Sequence, residues 1–330
     1  MGSETLSVTT ESGSLLGDAG EAIILQMMPI VEVGAAELNR RYRVCRFYEV
    51  DDTRSWLEKY GPKVRVVVTA GHIGVPNDLI DRLPALELIA IAGVGYEKVD
   101  LALTRRRAIR VSNTPDVLTE DVADCAIGLM IAAMRRLTTS DAFVRTGQWR
   151  GGDMPLSRRV SGLRYGIFGL GRIGQAVARR LEGFGGTIGY CARSAKDVPY
   201  RHYSSVLDLA LNSDVMILTA AASEALVGCI DEQVLTALGP QGYLVNVARG
   251  SLVDEDALIS CLSTGRLCGA GIDVYANEPN VPETLIALSN VVLSPHIGSA
   301  TAQAREAMAE LMLDNIAALF AGRPLPSQVS

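Results

Sequence analysis

Tyr165-Gly-Ile-Phe-Gly-Leu-Gly-Arg-Ile-Gly174 ends an apolar run that starts at Arg164 and opens directly into a helical pattern over residues 175–184. It sets Gly169, Gly171 and Gly174 in G-x-G-x-x-G spacing. In a strand-turn-helix the first glycine permits the tight turn, the second lets a pyrophosphate approach the backbone, and the third lets helix and strand pack closely. The helix N-terminus then faces the phosphate charge. Among 32 glycines such a string is weak by itself; its place between a strand and a helix makes it informative. The expected phosphate contacts are Gly169, Leu170, Gly171, Arg172, Ile173 and Gly174.

Toward higher numbers the same unit recurs, with short apolar runs at 187–191, 214–218, 243–247, 269–274 and 291–294, each followed by turn residues. A second series precedes the glycine loop, at 22–28, 64–69, 86–92 and 109–111. Strands alternating with helical patterns predict α/β architecture with parallel sheets and crossover helices. Between the two series, residues 118–144 read as one helix, opened by Thr119 with Glu120 and Asp121 in its first turn. Its apolar residues Val122, Cys125, Ala126, Leu129, Met130, Ala133, Met134 and Leu137 cover more than one stripe. Such a helix is expected to be buried on two sides, by its own domain and by a second subunit in a homodimer. A last helix is expected over 301–320, stopped by Gly322 and Pro324, and residues 1–20 read as a loose polar tail.

With 330 residues the chain has room for two domains, and its 48% hydrophobic content is that of an ordinary globular protein. A net charge of -6 gives no broad cationic surface for nucleic acid or anionic lipid. The longest apolar stretches, such as 126–134, fall far short of the roughly 20 residues that cross a bilayer. No Lys or Arg precedes Arg40, so the cationic start of a targeting segment is missing. The cysteines Cys45, Cys125, Cys191, Cys229, Cys261 and Cys268 form no CxxC pair and sit mostly inside apolar runs. Reduced thiols in the cytoplasm are expected, and no metal site.

The strand after the glycine loop bears on which dinucleotide binds. NAD sites usually place Asp or Glu about 20 residues on, to accept from the ribose 2′-hydroxyl. Here residues 187–191 end in Ala192-Arg193-Ser194, without a carboxylate. Arg193 can stack on adenine and pair with a 2′-phosphate, with Ser194 as a further donor and Lys196 adding charge. NADP(H) is therefore expected to be preferred, with NAD(H) possible. The plainer reading is a solvated arginine beside a turn.

Three polar residues follow apolar strands at the ends where open α/β sheets bind ligands: Arg249, Glu278 and His296. Reduction of a 2-keto acid needs a cation to hold the carboxylate and polarise the ketone, and an acid to protonate the developing alkoxide. Arg249 suits the first role and His296 the second, with Glu278 orienting the ring and favouring the imidazolium. Taken singly, each could equally anchor a turn or sit in a solvated loop. His72, in a glycine-containing strand-end loop, is a candidate substrate neighbour; Trp149, Met154 and Leu156 could also line a pocket.

From about residue 22 to 326 these features resemble the D-isomer-specific 2-hydroxyacid dehydrogenase family. The segments that carry the match are Gly93-Val-Gly-Tyr96, Asn113-Thr-Pro-Asp-Val-Leu-Thr-Glu-Asp-Val-Ala-Asp124, the glycine loop, Asn246-Val-Ala-Arg-Gly250, Gly271-Ile-Asp-Val-Tyr275 with Glu278-Pro279, and Ser294-Pro-His-Ile-Gly298. The resemblance implies that Arg249, Glu278 and His296 are the catalytic set, that Asp273 lies near the nicotinamide carboxamide, and that the backbone of Val94 and Gly95 grips the substrate carboxylate. Val247, Ala248 and Gly298, within the matching motifs, join the expected cofactor contacts. It also implies two flavodoxin-like or Rossmann-like domains with a closing cleft, the dinucleotide domain (113–295) inserted into the substrate domain (21–112 and 296–330). One departure is Ala220-Ala221-Ala222, where many relatives have Cys-Pro.

Within the family the chain is most similar to the glyoxylate/hydroxypyruvate reductase and hydroxyphenylpyruvate reductase branch. The resulting expectation is NADPH-dependent reduction of a small 2-keto acid to the D-2-hydroxy acid. Two alternatives stay open: an NAD-dependent 2-hydroxyacid dehydrogenase such as phosphoglycerate dehydrogenase, and a non-catalytic dinucleotide-sensing binding protein of corepressor type. Formate dehydrogenases of the same superfamily carry Gln in place of the acidic partner, so Glu278 argues against that reaction.

Overall fold

The structure, a computed structural model, describes residues 22–329; the expected tail over 1–20 lies outside the described residues. Five strands come first: β1 (Ile23–Gln26), β2 (Arg43–Arg46), β3 (Val64–Thr69), β4 (Leu88–Ile91) and β5 (Arg110–Ser112). Then come β6 (Arg164–Phe168), β7 (Thr187–Cys191), β8 (Arg201–Tyr203), β9 (Val215–Leu218), β10 (Tyr243–Asn246), β11 (Gly269–Ile272) and β12 (Val291–Leu293), and after them β13 (Gln328–Val329). The chain divides into two compact units, one taking residues up to Leu118 and from Ala302 onward, the other Thr119–Thr301.

The first unit holds one sheet in the order β13-β5-β4-β3-β1-β2. Every pairing is parallel except β13 with β5. Without its antiparallel edge this is the 2-1-3-4-5 order of flavodoxin-like sheets. Ile23, Leu25, Val64, Val67, Ile89 and Val111 lie in one buried cluster. Charged β2 was not anticipated, because its Arg-Val-Cys-Arg lacks the apolar run of a strand buried on both faces. It is an edge strand, where exposed charge is tolerated.

The second unit holds a fully parallel sheet in the order β12-β11-β10-β9-β6-β7-β8. Numbered from β6 this is 3-2-1-4-5-6-7, the order of dinucleotide-binding folds, and the direction of winding reverses between β6 and β9. Strands β9, β10 and β11 are buried at every position, as parallel strands covered on both faces must be. Asp231 and Asp254 cap the helices that follow β9 and β10, each accepting a backbone N–H three residues on.

The helix expected over 118–144 is two helices, Thr119–Arg135 and Leu137–Arg145, broken at Arg136 in the left-handed conformation (φ 52°). The first is covered within its own unit by helix Arg172–Glu182 and by β10 and β11. The exposed apolar residues sit instead on the second helix and beyond, at Leu137, Val144, Trp149 and Leu156. The unit boundaries also fall later than the expected 113 and 295. Thr114 N–H donates to Gly93 O and keeps 113–118 with the first unit, while Thr301 bonds Asp121 within the second.

Candidate functional site

The glycine loop leaves β6 and enters helix Arg172–Glu182 with no side-chain cap, and a helix N-terminus of this kind favours negative charge. Gly169 has φ 99°, and a Cβ there would stand 2.4 Å from Cα of Ala220. A Cβ on Gly174 would stand 2.1 Å from the Gly169 carbonyl oxygen, whereas nothing lies within 4 Å of one on Gly171. First and third glycines are thus forced by backbone packing, and the second faces open space. Ala220, the departure from Cys-Pro, lies against the first glycine. Thr219, which sequence reading passed over, ties the turn by donating its hydroxyl to Gly169 O at 2.6 Å.

Past β7 the Ala192-Arg193-Ser194 turn is a closed loop. Tyr190 is buried, its hydroxyl accepts the Lys196 N–H at 2.7 Å, and Nε2 of His202 donates to Ala192 O at 3.2 Å. Arg193 and Ser194 are exposed on it, with no carboxylate from 192 to 196. His202, in short strand β8, supports this loop from a strand that the sequence pattern did not show.

The loops after β10, β11 and β12 carry Arg249, Glu278 and His296 and are laced together. Asn246, buried at the end of β10, accepts the Ala248 N–H at 3.0 Å and donates to Arg249 O at 3.0 Å, an Asx turn that fixes the Arg249 backbone. Gly250 follows because a Cβ there would fall 1.9 Å from the Tyr275 carbonyl carbon. The buried carboxylate of Asp273 accepts the N–H groups of Ile297 and Gly298, both at 2.8 Å, and the Ser294 hydroxyl. His296 N–H donates to Asp273 O at 2.9 Å, and His296 itself is held at φ 54°. That left-handed conformation is uncommon for a residue with a Cβ, and here four hydrogen bonds that Asp273 accepts from residues 294–298 hold it.

The result is a pair. His296 Nδ1 lies 2.7 Å from Glu278 Oε2, and Glu278 Oε1 accepts the Tyr275 N–H at 3.0 Å. The side chains are 33% and 25% exposed, enough for a small molecule to reach the ring. A hollow of about 310 Å³ adjoins them, lined by Tyr275, Val281, Ile286 and Leu293 among others. The contact of Nδ1 with Glu278 fixes the orientation of the ring. Burial, with Asp273 beside it, pushes the Tyr275 hydroxyl up to about 12, so that group stays protonated.

In the first unit Val94 and Gly95 form the loop after β4, and the loop after β3 packs on it: a Cβ on Gly71 would stand 2.2 Å from Gly95 O. His72, next to Gly71, is exposed. Among the described residues neither the Val94 nor the Gly95 N–H donates a hydrogen bond within the chain. Leu156, considered for a pocket, instead borders a hollow with Arg158, Tyr243 and Asn290 at the amino ends of the strands.

Residues 127–298 match the model of the D-isomer-specific 2-hydroxyacid dehydrogenase NAD-binding domain. The chain belongs to the D-isomer-specific 2-hydroxyacid dehydrogenase family. It is 45% identical to hydroxyphenylpyruvate reductase of Plectranthus scutellarioides, over 94% of this chain and 99% of that one. It is likewise 45% identical to glyoxylate/hydroxypyruvate reductase A of Arabidopsis thaliana, over 93% and 98%. Among solved structures, the NADPH-dependent glyoxylate/hydroxypyruvate reductase of Sinorhizobium meliloti in complex with NADP and malonate superposes with a TM-score of 0.87. That pair is 38% identical and covers 94% of this chain and 97% of the other. As a 2-hydroxyacid dehydrogenase the chain is an oxidoreductase with a dinucleotide-binding Rossmann unit.

Proposed function

We propose that this 2-hydroxyacid dehydrogenase reduces a small 2-keto acid, glyoxylate or hydroxypyruvate, to the D-2-hydroxy acid with NADPH. The observation that carries the reading is the His296–Glu278 pair, laced by Asp273 and Asn246 to the Arg249 loop on one edge of a dinucleotide-binding sheet. The glycine loop fits the dinucleotide, since its middle glycine is open where a pyrophosphate would approach. Gly169, Leu170, Gly171, Arg172, Ile173 and Gly174 would hold the phosphates, Arg193 and Ser194 the 2′-phosphate, and Val247, Ala248, Asp273 and Gly298 the nicotinamide end. When bound, the reduced nicotinamide supplies a hydride.

Arg249 holds the substrate carboxylate and polarises its ketone. His296 donates the proton on Nε2 to the oxygen as charge develops there, while Glu278 keeps the ring oriented through Nδ1. The Val94 and Gly95 amides receive the carboxylate, with His72 beside them. NADPH is favoured because the Arg193 loop offers a guanidinium and no carboxylate to a 2′-phosphate. The reductases of Arabidopsis thaliana and Sinorhizobium meliloti named above support the substrate class.

The working form is a homodimer. Helix Leu137–Arg145 has no buried residue, and Leu137, Val144, Trp149 and Leu156 along 137–156 leave an apolar surface that a second copy would cover. Six free cysteines, with burial pushing Cys125 and Cys229 up to about 11, support a reducing compartment such as the cytoplasm. A panel of glyoxylate, hydroxypyruvate, pyruvate and phenylpyruvate, assayed with NADPH and with NADH, tests the function. The highest kcat/KM should fall on glyoxylate or hydroxypyruvate with NADPH. Tight dinucleotide binding without turnover of any of them would favour a dinucleotide-sensing binding protein instead.

A further inference from the structure

The loop that ends in Val94–Gly95 is not held by its own strand alone. Asn113, just past β5, donates from Nδ2 to Val94 O at 2.8 Å. Its backbone is clamped on both sides by one residue from the far end of the described chain. Asn113 N–H donates to Ser327 O at 3.3 Å, and the Ser327 hydroxyl donates to Asn113 O at 2.6 Å. Ser327 is in turn held by Asn315, which is fully buried in helix Ala302–Phe320: Asn315 Nδ2 donates to Ser327 Oγ at 2.8 Å, and its Oδ1 accepts the Ser327 N–H at 3.2 Å. A continuous hydrogen-bonded chain therefore runs from Asn315 through Ser327 and Asn113 to the Val94 carbonyl.

The physical consequence lies in one peptide plane. In a trans peptide the carbonyl of residue 94 and the N–H of residue 95 point in opposite directions. By fixing the Val94 carbonyl toward itself, Asn113 turns the Gly95 N–H the other way, where it has no partner within the described chain. We propose that Asn113 is a positioning residue that aims the Gly95 N–H at the substrate carboxylate, and that Ser327 and Asn315 set Asn113 for this task. The proposal rests on the reading that the Val94–Gly95 backbone binds that carboxylate. Asn113 does not touch substrate; it acts through the orientation of the peptide.

The test uses full-length protein in complex with NADP, carrying 15N-glycine and carbonyl-13C-valine, which selects the Val33–Gly34, Val94–Gly95 and Val227–Gly228 amides. Val33→Ile and Val227→Ile at exposed positions identify the Val94–Gly95 signal, which is followed as oxalate is added as a carboxylate probe. In the wild type the Gly95 amide resonance should move as oxalate binds. Asn113→Asp keeps the side-chain shape but replaces the donor to Val94 O by an acceptor. It should raise the oxalate concentration needed for that movement roughly tenfold or more, and raise KM for glyoxylate in proportion, with NADPH affinity unchanged. Ser327→Ala should act in the same direction, more weakly, and keeps the proposal testable if Asn113→Asp folds poorly. If the Gly95 amide responds at the same oxalate concentration in both variants as in the wild type, Asn113 does not position it and the proposal fails while the carboxylate reading stands. If the wild-type amide stays still at oxalate concentrations that inhibit turnover, the carboxylate reading itself is wrong and the proposal falls with it.

Discussion

Nδ1 of His296 stands 2.7 Å from one oxygen of Glu278, and the other oxygen of that carboxylate is fixed by the Tyr275 N–H. The acid that orients the ring is therefore itself anchored to backbone. His296→Ala should lower kcat by at least about 10² while NADPH binds as before, because proton transfer is its sole task. Glu278→Gln should cause a smaller loss in the same direction. Single-turnover rates and NADPH fluorescence titrations separate the two effects, and near-normal turnover in His296→Ala would remove it from the mechanism.

Cofactor choice can be read at one side chain. Losing a charge-assisted contact costs about 1.5–3 kcal/mol, so Arg193→Ala should weaken NADPH roughly ten- to a hundred-fold and leave NADH much less affected. Equal weakening of both cofactors would mean that Arg193 does not meet the 2′-phosphate.

Val144→Glu or Leu156→Glu places a charge on the apolar surface of 137–156 without touching any strand. Each should shift sedimentation at micromolar concentration from dimer toward monomer. A wild type that already sediments as a monomer would show that this surface has another use.

The amino ends of β6 and β9 meet at Asp214, whose carboxylate accepts from the Arg164 N–H at 2.9 Å, the Arg164 guanidinium and Arg158 at 3.1 Å. Burial pushes this carboxyl up, but the bonds from Arg164 and Arg158 outweigh it and hold it down at about 2. An unfolded Asp titrates near 3.9. The resulting stabilisation is therefore complete above about pH 4 and is lost as pH falls toward 2. Discounted for its remaining solvent contact it amounts to about 1–2 kcal/mol. Asp214→Asn should lower Tm at pH 7 and differ about half as much from the wild type at pH 3. An equal difference at both values would show that charge plays no part.

How far the sequence reaches depends on whether a signal is local. The glycine loop is legible because three close approaches within a few residues leave glycine as the residue that fits. Arg249, Glu278 and His296 are legible because each follows an apolar strand and carries chemistry that such a position rarely needs. The break at Arg136 is not legible: neither Gly nor Pro marks it, and the helical pattern runs through. Nor are the charged edge strands β2 and β8, whose residues answer to solvent rather than to a core. Asn246 opened a recognised motif without being given a role and Thr219 stood beside an apolar run, and an Asn at a strand end before small residues is a usable turn signal. The bond between Asn113 and Ser327 joins residues 214 apart and has no local signature at all.

The division of the first unit between residues up to Leu118 and residues from Ala302 onward also sets an order of birth on the ribosome. Strands β1 to β5 emerge early, but helix Ala302–Phe320, which packs on β4 and on helix Glu32–Arg41 with buried Ala304, Met308, Met312 and Ile316, comes only after the whole inserted unit has been made. At about 5–20 residues per second that is a wait of roughly ten to forty seconds. The unit that is later in the chain can thus be finished first, while the earlier one holds an uncovered apolar sheet. A shortage of chaperone should therefore show itself as aggregation through β1 to β5, in a protein whose dinucleotide unit is already folded.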